Sequence, residues 1–134
     1  MEKKIKILLS KVGLDTHDRG IKVLAHNLKN AGMEVVYLGL YQTPESIVNA
    51  SIQEDVDVIG LSCLSGEHIF ASEKIAKLIK ERNANDMLFI IGGPLPVEEI
   101  SVLKEMGVGE VFRPGSQIED IVKYIKKNVR RSNK

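Results

Sequence analysis

Near the N-terminus, an apolar run is followed by Lys11-Val12-Gly13-Leu14-Asp15-Thr16-His17-Asp18-Arg19-Gly20, a segment unusually rich in polar side chains. Asp15 and His17 are two positions apart, so on extended backbone both side chains project to the same side. A carboxylate beside an imidazole can accept a hydrogen bond from one ring nitrogen. That fixes the tautomer, orients the ring and leaves the other nitrogen as a better metal ligand. Lys11 could bond or charge-pair with Asp15 and keep it ionised. Asp18 is a suitable N-cap for a helix starting near Arg19. Gly20 then falls in the first helical turn, where it lowers helix propensity but lets another group approach the backbone.

A zinc centre would need three or four protein ligands. His26 and His68 have no metal-ligand spacing to His17, and Cys63 is the only cysteine. A single cysteine excludes an intrachain disulfide and a cysteine-based zinc site, and it fits a reducing compartment. One histidine can serve as a metal ligand only where another group fills most of the coordination sphere.

The elements that must position this loop follow from the pattern of the chain. Short, mostly apolar, β-branched runs at Ile5–Leu9, Glu34–Leu38, Val56–Ser62, Met87–Ile91 and Glu110–Phe112 have the character of buried parallel strands. Between them, Ile21, Leu24, Ala25 and Leu28 make one helical stripe, and Ile118, Ile121, Val122, Ile125 and Val129 another. Gly32 and Gly107 stand where left-handed helix exits are needed. Thr43-Pro44 reads as an N-cap and first helical residue, and Ser116 with Glu119 as a capping box. Strand–helix alternation implies right-handed crossovers, hence an α/β fold with a doubly wound five-stranded parallel sheet, (βα)5 and flavodoxin-like. In such sheets ligands sit beyond the carboxyl ends of the strands, at the switch point. The expected site loops are 10–19, 39–43, 62–67, 92–96 and 113–117.

Composition narrows the function classes. At 134 residues, residues 1–134 are expected to form a single domain. Lys plus Arg total 19 against 18 for Asp plus Glu, so there is no electrostatic case for nucleic acid or an anionic membrane as partner. The cluster Lys126, Lys127, Arg130, Arg131 and Lys134 closes the last helix, where cations favour the negative end of its dipole. Met1-Glu2-Lys3-Lys4 leads into a run broken by Lys6 and Lys11 rather than a secretory leader, and no apolar stretch could span a bilayer. A cytoplasmic location is expected.

A corrin macrocycle fills four equatorial positions around cobalt and leaves an axial one for a protein ligand. Asp15-Thr16-His17-Asp18-Arg19-Gly20 resembles the signature of cobalamin-binding domains, in which the cofactor's own benzimidazole is displaced and histidine binds cobalt. The likeness extends along nearly the whole chain. Lys11–Gly20, Tyr41-Gln42-Thr43-Pro44, Ser62-Cys63-Leu64, Gly92-Gly93 and Val111-Phe112-Arg113-Pro114-Gly115-Ser116 occur in the order and spacing of the cobalamin-binding part of the methylmalonyl-CoA mutase family. That match is closer than the one to the small subunit of glutamate mutase. The resemblance implies that His17 is the axial ligand to cobalt, with Asp15 its hydrogen-bonding partner and Lys11 behind. Ser62 and Leu64 would meet the displaced nucleotide tail between the first and third strands. Gly92 and Gly93 would leave room for that tail, Gly115 and Ser116 would close its pocket, and Gly20 completes the signature. Arg113 stands where those mutases tend to have glycine, and Cys63 occupies the variable middle of Ser-x-Leu.

The implied function is that of the cobalamin-binding small subunit of an adenosylcobalamin-dependent acyl-CoA mutase, an isomerase that rearranges a carbon skeleton. The substrate-binding (β/α)8 barrel needs about 250 residues, so the acyl-CoA is expected to bind a separate large subunit, without which this chain is inactive. No residue here is assigned as a general acid or base. The alternative is a corrinoid methyl carrier for a methyltransferase. Such carriers add an N-terminal helical cap, for which a first strand starting at about residue 4 leaves no expected space. A receiver domain would need acidic residues after the first and third strands and a lysine after the fifth, where this chain has Ser10, Ser62 and Arg113. A flavodoxin would need a Ser/Thr-rich phosphate loop where Asp15-Thr16-His17 stands.

Overall fold

The five apolar runs pair as parallel strands separated by helices, in a computed structural model that describes residues 4–11, 19–39, 42–63 and 68–129. In chain order the elements are β1 (Lys6–Lys11), α1 (Arg19–Asn30), β2 (Glu34–Tyr37), α2 (Pro44–Gln53), β3 (Val58–Ser62), α3 (His68–Glu81), β4 (Leu88–Gly92), α4 (Val97–Met106), β5 (Glu110–Phe112) and α5 (Ile118–Asn128). The sheet runs β2-β1-β3-β4-β5, every pair parallel. This is the doubly wound, flavodoxin-like fold expected from the sequence. The order reverses between β1 and β3, which makes their carboxyl ends the switch point.

Alternation along each strand feeds two apolar layers. Ile7, Leu9, Val58, Leu88 and Ile90 pack with Ile21 and Leu28 of α1 and with Ile121 and Ile125 of α5. Leu8, Ile59, Leu61, Phe89 and Ile91 pack on the other side with Ile47 of α2, Ile75 of α3 and Leu103 of α4. Strands buried on both faces explain why the sequence shows continuous apolar runs.

Helices α1 to α4 leave by one device. The amide of Met33 donates to Leu28 O, Val56 to Ser51 O, Ala84 to Ile79 O and Val108 to Leu103 O. The residue before each of these, Gly32, Asp55, Asn83 or Gly107, has positive φ. This is the Schellman exit, whose following apolar residue packs back on the helix, and Met33, Val56, Ala84 and Val108 are all buried. Gly32 and Gly107 were readable from sequence; Asp55 and Asn83, less usual in left-handed backbone, were not.

Thr43 caps α2 as expected. Its hydroxyl accepts from the Ser46 amide, and Ser46 Oγ accepts from the Thr43 amide. The expected capping box of Ser116 and Glu119 does not form. Helix α5 is capped by Gln117 without a side-chain bond, because Ser116 Oγ donates backward to Arg113 O at 2.6 Å, closing the preceding turn. Strand β1 also runs beyond its expected end at Leu9. Ser10 and Lys11 stay in register with Leu61 and Ser62 of β3 and are buried, so they belong to the sheet rather than to the loop.

The amino edge of the sheet is tied by charge. Lys6 Nζ lies 3.2 Å from Glu54 and 3.6 Å from Glu34, and the Lys6 amide donates to Asp57 Oδ2. The bond to Glu54, with the charges of Glu34 and Glu54, raises the Lys6 pKa above its ordinary value. The stabilisation is therefore present below that ordinary value and is lost as pH rises through the raised one.

Gly107 leaves α4 at φ +121 with only ordinary contact, 3.8 Å to Ala76 Cβ, at the site of an added Cβ. Gly107→Ala is therefore expected to cost about 1 kcal/mol of left-handed backbone strain in urea unfolding. A neutral result would show that the exit does not need glycine.

Candidate functional site

Helices α1 and α5 do not close completely over the sheet. Between them a cavity of about 380 Å³ runs from the carboxyl edge down to Ile7 and Leu28. Its size is that of a small-ligand pocket. Ile21 and Leu24 of α1, Ile121 of α5 and Phe112 of β5 wall it, all apolar. Gly60 of β3, which carries no side chain, also lines it. A Cβ there would stand 2.7 Å from Leu9 Cδ2 and 3.5 Å from Ile7 Cδ1, so the tip of the Leu9 side chain packs over this glycine.

The mouth gathers residues from four separate segments. Gly20, Ser62, Gly92, Gly93, Gly115 and Ser116 all line this cavity. Lys11 is not among the lining residues. It ends β1 in register with Ser62 and is only 2% exposed, the one buried charged side chain among the described residues. Burying an ammonium is costly unless it is paired, so its position beside the switch point marks a placed group. Asp15, His17 and Leu64 lie outside the described residues, as does Asp18 with its expected capping role.

The glycines divide by what demands them. Gly93 has φ +148, and a Cβ on it would fall 2.0 Å from Cys63 O; the close approach of the β3 and β4 ends requires it. Gly115, at φ +94, sits in the turn Arg113-Pro114-Gly115-Ser116, closed by the Ser116 amide on Arg113 O. Proline followed by glycine of positive φ is the residue pattern of a type II turn. Gly20 and Gly92 answer to no such demand. A Cβ at Gly20 would meet nothing within 4 Å, and at Gly92 only Phe112 O at an ordinary 3.7 Å. Both keep the mouth wide.

Sequence reasoning missed Gly60 and the apolar walls. The available signal was a glycine inside an otherwise continuous apolar strand, which often marks close approach of another group. His26 is apart from the cavity; its Nε2 pairs with Asn30 Nδ2 at 3.3 Å on an exposed part of α1. Among the described residues no group of histidine, cysteine and carboxylates could hold a metal ion. No helix among them is long and apolar enough to cross a membrane.

Residues 5–126 match the family of the B12 binding domain. The chain belongs to that family. This B12-binding domain is 48% identical over 122 residues to the 2-hydroxyisobutanoyl-CoA mutase small subunit of Aquincola tertiaricarbonis, covering 91% of this chain and 90% of that one. It is 38% identical over 122 residues to the methylmalonyl-CoA mutase of Rhizobium meliloti, covering 91% of this chain but 17% of that protein. A solved cobalamin-binding protein from Desulfitobacterium hafniense superposes with a TM-score of 0.80 at 27% identity, over 95% of this chain and 60% of that one. The B12-binding domain is thus similar both to nearly the whole of a mutase small subunit and to a small part of a much longer mutase.

Two substitutions separate fold from cavity. Gly93→Ala drives a methyl into the Cys63 carbonyl and is expected to cost about 3 kcal/mol or more in chemical unfolding. In Gly60→Val the obstruction is the tip of the Leu9 side chain, which can turn aside. The fold is expected to survive while cobalamin uptake, read by visible absorption after gel filtration, weakens about tenfold or more. Unchanged uptake by the folded Gly60→Val protein would show that the ligand does not use this cavity.

Proposed function

We propose that this chain is the cobalamin-binding small subunit of an adenosylcobalamin-dependent acyl-CoA mutase, holding the cofactor base-off with His17 as axial ligand to cobalt. The observation that carries the proposal is the apolar cavity between α1 and α5, open at the switch point beside the end of β1. A displaced benzimidazole is a flat apolar ring, and such apolar walls suit it. In the sequence, Asp15 and His17 stand between Lys11, which ends β1, and Arg19, which begins the helix whose Gly20 lines the cavity.

Each residue then has a task. His17 ligates cobalt. Asp15 accepts the proton-bearing nitrogen of the same ring, fixing its tautomer and raising its basicity. Lys11, buried at the end of β1, keeps Asp15 ionised. Ser62 and Leu64 meet the nucleotide tail, Gly92 and Gly93 leave room for it, Gly115 and Ser116 close its pocket, and Gly20 completes the cofactor-binding signature. Adenosylcobalamin, when bound, supplies a carbon-centred radical by homolysis of its cobalt–carbon bond. No side chain of this protein is assigned to proton transfer. The acyl-CoA is bound by a large (β/α)8-barrel subunit, which selects the substrate. Residues 1–134 form a single domain in the cytoplasm, without nucleic-acid or membrane partners. The mutase reading is preferred to a corrinoid methyl carrier because the relatives at 48% and 38% identity are CoA mutases.

The ligand assignment is tested by electron paramagnetic resonance of cob(II)alamin on protein whose histidines carry nitrogen-15. The superhyperfine triplet on each cobalt line is expected to become a doublet, and to revert in His17→Ala. A splitting indifferent to the label would mean that the benzimidazole stays on cobalt, and would reject the proposal. Asp15→Asn is expected to weaken cobalamin binding about 10- to 100-fold, as removal of an orienting partner does at metal sites. Mutase turnover should need both this chain and a co-purifying large subunit. Turnover by either component alone would contradict the division of labour.

A further inference from the structure

We infer that Arg113 is a cofactor-recognition residue that grips the phosphodiester of the nucleotide tail at the cavity mouth. The inference rests on the cobalamin reading above and adds to it a residue that the family pattern does not carry, since glycine tends to stand at this position in the resembling mutases.

Three observations converge. First, Arg113 is the only charged side chain among the described residues lining the cavity. Second, it is held ready. Its carbonyl accepts both the amide and the hydroxyl of Ser116, at 3.1 and 2.6 Å, and its Nε donates to Leu95 O at 3.0 Å. Backbone and guanidinium plane are thereby both fixed. Third, the terminal Nη groups make no hydrogen bond or ion pair with any described residue. A planar, always-charged fork with two uncommitted donors at the rim of an apolar cavity suits an anion with paired oxygens.

The covalent order of the ligand says which anion. In cobalamin the phosphodiester lies between the corrin side chain and the ribosyl benzimidazole. If the ring occupies the cavity and the corrin remains outside, the phosphate must lie at the mouth. Arg113 is there. The hydroxyl of Ser116 is committed to Arg113 O as a donor, so its part at the mouth is to hold the turn that carries the arginine.

The test compares three corrinoids on the full chain by absorbance titration: cobalamin, cobinamide phosphate, which keeps a phosphate but lacks the nucleoside, and cobinamide, which lacks both. Arg113→Gly is expected to bind cobalamin and cobinamide phosphate about tenfold more weakly while cobinamide binding is unchanged. Arg113→Lys, which keeps the charge, should recover most of the loss. Equal loss with all three ligands would make Arg113 a merely structural residue, and no loss with any would leave it without a role; either overturns the inference. If the unaltered protein binds none of the three, the cobalamin reading fails and the inference fails with it. If the nitrogen-15 experiment succeeds while Arg113 variants bind normally, only the inference is lost.

Discussion

On the α1–α5 side of the sheet, side chains from β1, β3 and β4 would ordinarily meet the helices and close the layer. At residue 60 of β3 there is none, and a Cβ there would already press on Leu9. Close packing is the default of protein interiors, and a void forfeits the dispersion contacts of its lining. An apolar cavity of about 380 Å³ is therefore held open at some expense in stability. The opposite layer, where α2, α3 and α4 pack on Leu8, Ile59 and Ile91, supplies the compact core. One face of the sheet is built for cohesion and the other for reception.

The fold was legible because its signals are local and repeated. Five apolar runs, two helical stripes and the punctuation of Gly32, Thr43-Pro44 and Gly107 all pointed to alternating strands and helices. The errors occurred where tertiary pairing overrode local pattern. Polarity placed Lys11 in a loop, but continued pairing with β3 carries it into the sheet. Helix-start chemistry assigned Ser116 to a cap, but the Pro114-Gly115 turn draws its hydroxyl back to Arg113.

The candidate site was legible at its rim and not in its depth. Ser62, Gly92, Gly93, Gly115 and Ser116 lie at strand ends or in the connections beyond them and Gly20 in the first turn of α1, and the parallel fold brings them together at one edge. The cavity walls, Leu9, Ile21, Leu24 and Phe112, are ordinary core residues in the sequence. Nothing distinguishes an Ile that lines a void from one that fills a core until the distance to its neighbours is known. Gly93 shows a different ambiguity, because the Cys63 carbonyl alone is sufficient reason for a glycine there. Asp15 and His17, proposed for the metal chemistry, and Leu64, proposed for the nucleotide tail, rest on sequence and kinship.

The four left-handed exits at the amino edge have a consequence for how such a protein can diversify. Each hands a buried apolar residue from the end of a helix toward the next strand, and Lys6 ties β1 to Glu34 and Glu54 at the same edge. The frame is thus fastened at the end remote from the candidate site. Connections at the carboxyl edge can drift in length and composition with little loss of anchorage. A lineage could retune its affinity for the cofactor, or its fit to another partner, by rewriting loops over an unaltered chassis.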